Sequence, residues 1–309
     1  MDYIIRSRVD MYSRDGIFYG VCAHVGAAVH FYNTAILEEA GIDYRDIITW
    51  DDFREAGERV LEVVGVPMVT FEATDTFGLH VKLAQLGSDF LTEDNEYNIN
   101  TPEMIHVLTW SQDMIRDGLA IVAPGGFHHA EEYYGFMNAG GAASIGMPQW
   151  YLQRFRSYMP DLHGQIRLAP SPVWEVGQQR SLGLGGTGHS VTNQTEHPDL
   201  VKDFLAFSKL TPRGSAYFWT WMGTDPIFKE IWRDESVVRA ENAFTDYFGI
   251  DLFDVLIEIE DEIPAPILTD RYPSVVDMMR TVVLPRVLLD MEDPATVLEE
   301  AQGILEAAP

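Results

Sequence analysis

Five aromatic side chains stand where regular structure is predicted to end: Trp150, Tyr151, Trp219, Trp221 and Tyr272. Flat rings at loop edges can stack on the C–H faces of a sugar, while nearby carboxylates and amides bind its hydroxyl groups. Each ring taken singly is more often a core residue. Taken together, the five rings favour a carbohydrate-binding site.

The segment Phe136–Tyr151 delivers two of these rings together. Its apolar part ends at Asn138, two glycines form a turn, and the short run Ala142–Met147 predicts a buried strand. Pro148 ends that strand just before Trp150. This arrangement would hold the indole at a cleft, although a half-buried packing role for Trp150 explains the same pattern.

Among the many carboxylates, Asp75 is the strongest candidate for a ligand contact. It lies in a polar loop between a predicted strand and a predicted helix, close to Phe77. The alternative is that Asp75 only caps the helix that follows.

Other possible chemistries have weak support. The adjacent residues His128 and His129 point to different sides of a helix and match no zinc signature, so a solvated helix start is favoured over a metal site. The glycine-rich loop Leu182–Gly188 lacks the Lys-Ser/Thr of a P-loop. Cys22 is the only cysteine and is expected to be a small core residue. No Gly-x-Ser-x-Gly elbow is present, and no cofactor or metal is predicted.

Alternating strands and helices must position these residues. Thr49 with Asp52, and Thr101 with Pro102, are typical helix starts, and Gly41 and Gly118 are typical helix ends. Short apolar runs between such helices predict strands, among them 66–71 and 165–170. The pattern predicts an α/β protein built in layers.

Charge excludes some classes of partner. The chain has 48 acidic residues against 21 Lys and Arg, a formal net charge of −27, so nucleic acid and anionic lipid are poor partners. Only four of the basic residues are lysines. This surface would suit a salty environment, where screening weakens self-repulsion, but an ordinary acidic surface explains it equally well.

The order of motifs resembles the extracellular solute-binding proteins of ABC importers, in the carbohydrate class that includes maltose-binding protein. Eight pieces match in order, each weak alone: Asp15–Val21, Phe31–Asn33 with Leu37–Ile42, Thr49–Phe53, Gln85–Ser88, Asn100–Glu103, Phe136–Tyr151, His197–Pro212 and Trp221–Pro226. The chain departs from the pattern at Cys22, where members have proline, and at Gly141, where they have lysine.

The resemblance implies a type II periplasmic-binding-protein fold with two α/β lobes around a hinged cleft. Residues 1–71 would be the remainder of lobe 1, residues 72–220 mainly lobe 2, and residues 221–309 a returning hinge with closing helices. Members carry further residues ahead of the first matching motif, including a signal peptide or lipobox. The N-terminal lobe is therefore expected to be incomplete, and lipid tethering is a possibility.

The resemblance also implies a function and a set of ligand contacts. The protein would bind a sugar or oligosaccharide between the lobes, outside the cytoplasmic membrane, and deliver it as a monomer to permease subunits. The expected contacts are Trp150, Tyr151, Asp75, Phe77, Gly185, Gly186, Thr187, Trp221, Tyr272 and Asp277. Two alternatives stay open: a glycoside hydrolase with its acid pair among Glu72, Asp75 and later carboxylates, and a scaffold with a degenerate cleft.

Overall fold

The computed structural model describes residues 3–308 and shows a mixed sheet covered by helices on both faces. Met1, Asp2 and Pro309 lie outside the described residues. The strands are β1 (Ser13–Arg14), β2 (Ile17–Phe18), β3 (Val21–Cys22), β4 (Ala28–Asn33), β5 (Val69–Phe71), β6 (Ala120–Val122), β7 (Ser144–Pro148), β8 (Ile166–Ala169) and β9 (Gly188–His189).

The helices, numbered along the chain, are α1 (Arg6–Asp10), α2 (Thr34–Glu39), α3 (Trp50–Val63), α4 (Phe77–Gln85), α5 (Pro102–Arg116), α6 (Glu131–Asn138), α7 (Leu152–Tyr158), α8 (Pro198–Lys209), α9 (Pro212–Met222), α10 (Glu235–Val238), α11 (Ala243–Phe248), α12 (Asp254–Glu258), α13 (Tyr272–Met278), α14 (Leu284–Leu288) and α15 (Pro294–Ala307). A π-helical turn, Met279–Val283, joins α13 to α14. Within residues 3–308, none of these helices is both long and apolar enough to cross a membrane.

Local sequence signals place the starts of α3 and α5 where they were predicted. Thr49 and Asp52 form a reciprocal capping box at the start of α3. The Asn33 side chain accepts the backbone N–H of Ala35 at 3.1 Å and caps α2. Thr101 caps α5, with Pro102 in its first turn. These caps satisfy amide groups that a helix end would otherwise leave unpaired.

The central sheet has the order β6-β5-β7-β4-β8. Strands β5, β6 and β7 run parallel, whereas β4 is antiparallel to both β7 and β8. The predicted α/β layering is therefore confirmed. The predicted boundary between residues 71 and 72 does not separate two sheets, because β4 and β5 precede it and pair with β7, which follows it.

The two faces of the sheet are covered by different cores. Val29 and Phe31 of β4 point into a core with α6, α7 and the helices from α9 to α12. Tyr32 of the same strand points to the other face, where α3, α5 and the helices from α13 to α15 pack. The alternation follows from the two-residue period of a strand. Cys22 is fully buried and free, as expected for a core thiol, and burial raises its pKa to about 11.

Candidate ligand-binding site

The carboxyl ends of three parallel strands, β5, β6 and β7, meet at one edge of the sheet. The segments that follow them are residues 72–76, residues 123–130 and the short turn Gln149–Tyr151. In open α/β sheets, ligands bind outside the carboxyl ends of the strands, where such loops converge. This edge, called the strand-end site below, contains several of the predicted contacts.

Trp150 is held in a fixed orientation at the strand-end site. Its ring centroid lies 5.4 Å from that of Phe77, nearly edge-on, and 5.6 Å from that of His129, nearly parallel. The indole Nε1–H donates to the Leu184 carbonyl at 3.1 Å. The ring is only partly buried, so part of it stays accessible. A ring oriented before a ligand arrives loses little entropy on stacking.

Tyr151 is placed differently from its neighbour. The side chain is fully buried and its hydroxyl donates to the His128 carbonyl. Its ring lies 5.5 Å from Phe155, in the core beneath the sheet edge. Tyr151 therefore supports the loop that carries Trp150 and presents no surface to a ligand in this conformation.

The loop that carries Asp75 is fastened to its neighbours by backbone groups. The Thr74 amide donates to the Gly126 carbonyl at 3.2 Å, and the Thr74 carbonyl accepts from Arg280 Nε at 2.8 Å. Asp75 is half-buried, and its Oδ1 accepts the Thr76 amide at 2.8 Å. The residue at the N-cap position of α4 is Thr76, so helix capping does not account for Asp75.

The glycine-rich loop borders Trp150. Gly185, Gly186 and Thr187 all have positive φ, at 78°, 99° and 36°. A Cβ at Gly185 would lie 3.0 Å from Trp150 Nε1, so the two residues are in direct contact. Gly185 and Thr187 are exposed, whereas Gly186 is buried. The loop therefore offers accessible backbone beside the indole.

The three remaining predicted contacts differ in exposure and in the helix that carries them. Tyr272 is half-buried, and burial together with the nearby Asp89 and Asp75 carboxylates raises its pKa to about 12. Asp277 is exposed on the same helix, α13. Trp221 is 74% exposed on α9, and among the ring contacts of residues 3–308 none joins it to Trp150. Of the other predicted rings, Trp219 is fully buried.

A buried polar cluster lies beneath the strand-end site, around a cavity of about 40 Å³ lined in part by His30, Glu72, Lys82 and His128. Burial, reinforced by the Asp75 charge, raises the pKa of Glu72 to about 8. Burial lowers the pKa of Lys82 to about 7 and, aided by the positive field of His129, that of His128 to about 3. We call these four residues the buried chamber.

The two adjacent histidines do not form a solvated helix start, and that expectation is wrong for His128. His128 Nε2 lies 2.9 Å from Thr70 Oγ1, and its amide donates to Glu72 Oε1 at 3.1 Å, in the core. His129 instead faces Trp150. Within residues 3–308, no group of three or more His, Cys, Asp or Glu side chains is placed to hold a metal ion.

Sequence reasoning did not select His129 and Arg280 as part of the site. His129 was considered only as a metal ligand or as part of a solvated helix start, yet it stacks on Trp150. Arg280 comes from the π-helical turn, about two hundred positions from Thr74, whose carbonyl it bonds. π-helical turns are frequent at functional sites, but they have no sequence signature that would have revealed this one.

The architecture and the strand-end site define a class: an α/β binding protein whose candidate site is built from loops at the carboxyl ends of strands. Residues 5–210 match the bacterial extracellular solute-binding protein family, and the chain belongs to that family. It is 41% identical over 309 residues to an arabinooligosaccharide-binding protein of Halalkalibacterium halodurans, covering 99% of this chain and 69% of that protein. It is 40% identical to the protein of the same name from Bacillus subtilis, covering 99% of this chain and 71% of that one.

Solved structures share the fold at low sequence identity. The binding protein from B. animalis subsp. lactis, in complex with β-1,6-galactobiose, superposes with a TM-score of 0.80 at 18% identity, covering 98% of this chain and 76% of that one. The cyclic α-maltosyl-1,6-maltose binding protein from Arthrobacter globiformis gives a TM-score of 0.77 at 20% identity, covering 99% and 76%. These likenesses confirm the predicted type II fold.

Family membership confirms the predicted class, the solute-binding component of an ABC transporter. Members of the family bind solutes and are not enzymes, so the glycoside hydrolase alternative is not supported. The family is extracellular, which places this protein outside the cytoplasmic membrane, in the periplasm or beyond it.

Proposed function

We propose that the protein binds an arabinose-containing oligosaccharide at the strand-end site and delivers it to the permease subunits of an ABC importer. The observation that carries this proposal is the fixed, partly exposed indole of Trp150, flanked by Phe77 and the exposed backbone at Gly185. A ring with polar groups at its edge is the combination that sugar recognition requires.

Each predicted contact has a proposed role. Trp150 stacks on a sugar ring, with Phe77 supporting it edge-on. Asp75 and the Gly185–Thr187 backbone bind hydroxyl groups from either side. Tyr272 and Asp277 on α13 bind a neighbouring sugar unit, and Trp221 contributes only if lobe closure brings α9 nearer. Tyr151 and Gly186, both buried, act by supporting the loops rather than by touching the ligand.

The two arabinooligosaccharide-binding relatives support arabinose as the sugar. A third relative, a lactose-binding protein of Rhizobium radiobacter, is only 26% identical over 64% of this chain. Specificity within this fold depends on a few polar contacts, so the two closer sequences are better guides to the ligand. We also propose that the protein acts as a monomer and that a lipid anchor could tether it to the membrane.

A thermal-shift screen tests the ligand. The protein is melted alone and with arabinotriose, maltotriose or lactose. Arabinotriose is expected to raise the melting temperature most, because it is the proposed ligand. A ligand at a hundred times its Kd stabilises the folded state by about 2.7 kcal/mol. Chromatography of the recovered sugar should show no cleavage. A larger shift with maltotriose would replace arabinose as the ligand, and no shift with any sugar would refute the proposal.

A matched pair of variants locates the site. Trp150→Ala should lose the arabinotriose shift. Tyr217→Ala removes a ring that is 53% exposed on α9 and should keep the shift. Equal losses in both variants would count against a ligand site at the strand ends.

A further inference from the structure

A buried arginine lies behind the glycine-rich loop. Arg8 comes from α1, and its side chain is fully buried. Its Nη1 donates to the Gly183 carbonyl and its Nη2 to the Gly185 carbonyl, each at 2.6 Å. A guanidinium stays protonated even when burial lowers its pKa, as it does here, so both are charge-assisted hydrogen bonds.

The loop is shaped to fit this guanidinium. A Cβ at Gly183 would lie 2.5 Å from Arg8 Cδ, and one at Gly186 would lie 2.8 Å from Arg8 Nη2. Neither position can carry a side chain unless Arg8 moves. On the other side of the loop, the Leu184 amide donates to the Gly26 carbonyl at 2.7 Å. The loop is thus confined between Arg8 and the segment that enters β4.

Three successive carbonyls of this loop have alternating partners. Those of Gly183 and Gly185 accept from Arg8, and the one between them, on Leu184, accepts from Trp150 Nε1. Arg8 thus holds the carbonyls on both sides of the one that accepts from the indole. Releasing Arg8 would remove two of the hydrogen bonds that fix the loop around the Leu184 carbonyl.

The charge of Arg8 is balanced without drawing it away from the loop. The fully buried Asp225 attracts it at longer range. The Asp225 carboxylate is itself held by the Ala27 amide at 2.8 Å and by His24 Nδ1 at 3.2 Å. The guanidinium is consequently left to bond carbonyl groups, where its planar fork fits two acceptors at once.

We infer that Arg8 is a positioning residue for ligand binding: it fixes the Gly183–Gly186 backbone and, through the Leu184 carbonyl, the ring of Trp150. The inference rests on the proposed function, in which Trp150 stacks on the sugar. Arg8 itself has no exposed atoms and touches no ligand.

The test uses the whole chain labelled with 5-fluorotryptophan, in which ¹⁹F NMR reports each indole separately. Trp150→Phe assigns the resonance of Trp150. Arg8→Met removes the fork, and Arg8→Lys keeps the charge but cannot bond both carbonyls in the same geometry. Arg6→Met is the matched control, since Arg6 lies on the same helix, is exposed and pairs with Asp10 at 2.8 Å.

Arg8→Met is expected to shift or broaden the Trp150 resonance and to weaken arabinotriose binding by up to roughly tenfold, because binding must then order the indole and the loop that Arg8 holds in the wild type. Arg8→Lys should fall between Arg8→Met and the wild type in both measurements, and Arg6→Met should match the wild type. If Arg8→Met does not fold, Arg8→Lys carries the same test.

An unchanged Trp150 resonance in a folded Arg8 variant would overturn the inference. So would a folded Arg8→Met protein that binds arabinotriose as well as the wild type. A different result separates this inference from the proposed function. If the resonance moves as expected while the wild type binds no sugar, Arg8 still positions Trp150, and only the proposed function fails.

Discussion

The strand-end site and the buried chamber beneath it are both polar, but their groups have opposite surroundings. Around Trp150, the Leu184 carbonyl is paired with the indole N–H, and the ring stays partly exposed. In the chamber, the Glu72 and Lys82 side chains are ionisable yet almost fully buried, and Glu72 Oε2 has no hydrogen-bond partner among residues 3–308. The groups of the first region are satisfied by hydrogen bonds within the protein, whereas burial destabilises the charged forms of the groups in the second.

Because of this difference, substitutions in the two regions are expected to affect different properties of the protein. Changes at the strand-end site are expected to alter affinity with little effect on folding. Changes in the chamber are expected to alter the pH dependence of folding with little effect on affinity.

The largest effect is expected from Glu72→Gln. The folded protein keeps the Glu72 proton up to about pH 8, while the unfolded chain releases it near pH 4.5. This acid therefore stabilises the fold below pH 4.5 and loses its contribution as the pH rises to 8. Glutamine keeps an oxygen to accept the His128 amide. The variant should gain stability relative to wild type across that range, by at most about 4 kcal/mol.

The measurement is urea unfolding of both proteins from pH 4.5 to 8, taken as a difference. The difference is needed because His128, with its pKa lowered to about 3, gives the wild type an opposing slope below pH 6.5. Glu131→Gln removes an exposed carboxylate as a control. The arabinotriose affinity of Glu72→Gln should equal that of the wild type. A stability difference that stays constant with pH would mean that Glu72 is ionised in the folded protein and would contradict the prediction.

Trp150→Ala is expected to affect binding more than folding. Removing a ring at the centre of a binding site costs about 2 kcal/mol or more, at least a thirtyfold loss in affinity. Trp150→Phe keeps a ring but loses the hydrogen bond to the Leu184 carbonyl, so its affinity should lie between those of Trp150→Ala and the wild type. Isothermal titration with arabinotriose measures both variants. If Trp150→Ala keeps wild-type affinity, the stacking role is wrong.

Local signals in the sequence predicted most of the elements, because caps and periodicity are local properties. The caps of α2, α3 and α5 all lie within three residues of the amides they satisfy. The sheet order was not predictable in this way, since β4 pairs with strands more than a hundred residues later. That is why a boundary placed at residue 71 cuts across the sheet.

Local signals also indicate part of the candidate site, whereas contacts between distant residues do not show in the sequence. Asp75 lies in a loop that the sequence marks with polar residues, and Phe77 begins the helix that follows it. Trp150 and Tyr151 are adjacent in a 3-10 turn, where no simple period tells which ring faces outward. Arg8 bonds carbonyls about 175 positions away, and backbone carbonyls carry no residue-type signal.

Gly185→Ala should have a smaller effect, again on binding. An added Cβ would lie 3.0 Å from Trp150 Nε1, and the φ of 78° is strained for alanine. Gly177→Ala is the matched control, because its φ is 100° but, apart from its chain neighbours, no atom of residues 3–308 lies within 4 Å of the Cβ that would be added. Both variants should lose roughly 1 kcal/mol of stability to backbone strain. Only Gly185→Ala should also weaken arabinotriose binding, as measured by isothermal titration. Equal affinities of the Gly185→Ala and Gly177→Ala variants would remove Gly185 from the site.

The smallest effect is expected from salt, which acts on surface charge and not on the chamber. Raising NaCl from about 0.1 M to 1 M shortens the Debye length from about 10 Å to 3 Å and screens repulsion within a surface whose net charge is −27. The melting temperature should rise by roughly 1 °C, corresponding to less than about 1 kcal/mol. No rise would exclude a surface adapted to salt. The stability difference between wild type and Glu72→Gln should keep its pH dependence at both salt concentrations, because a fully buried carboxyl group is screened far less than exposed ones.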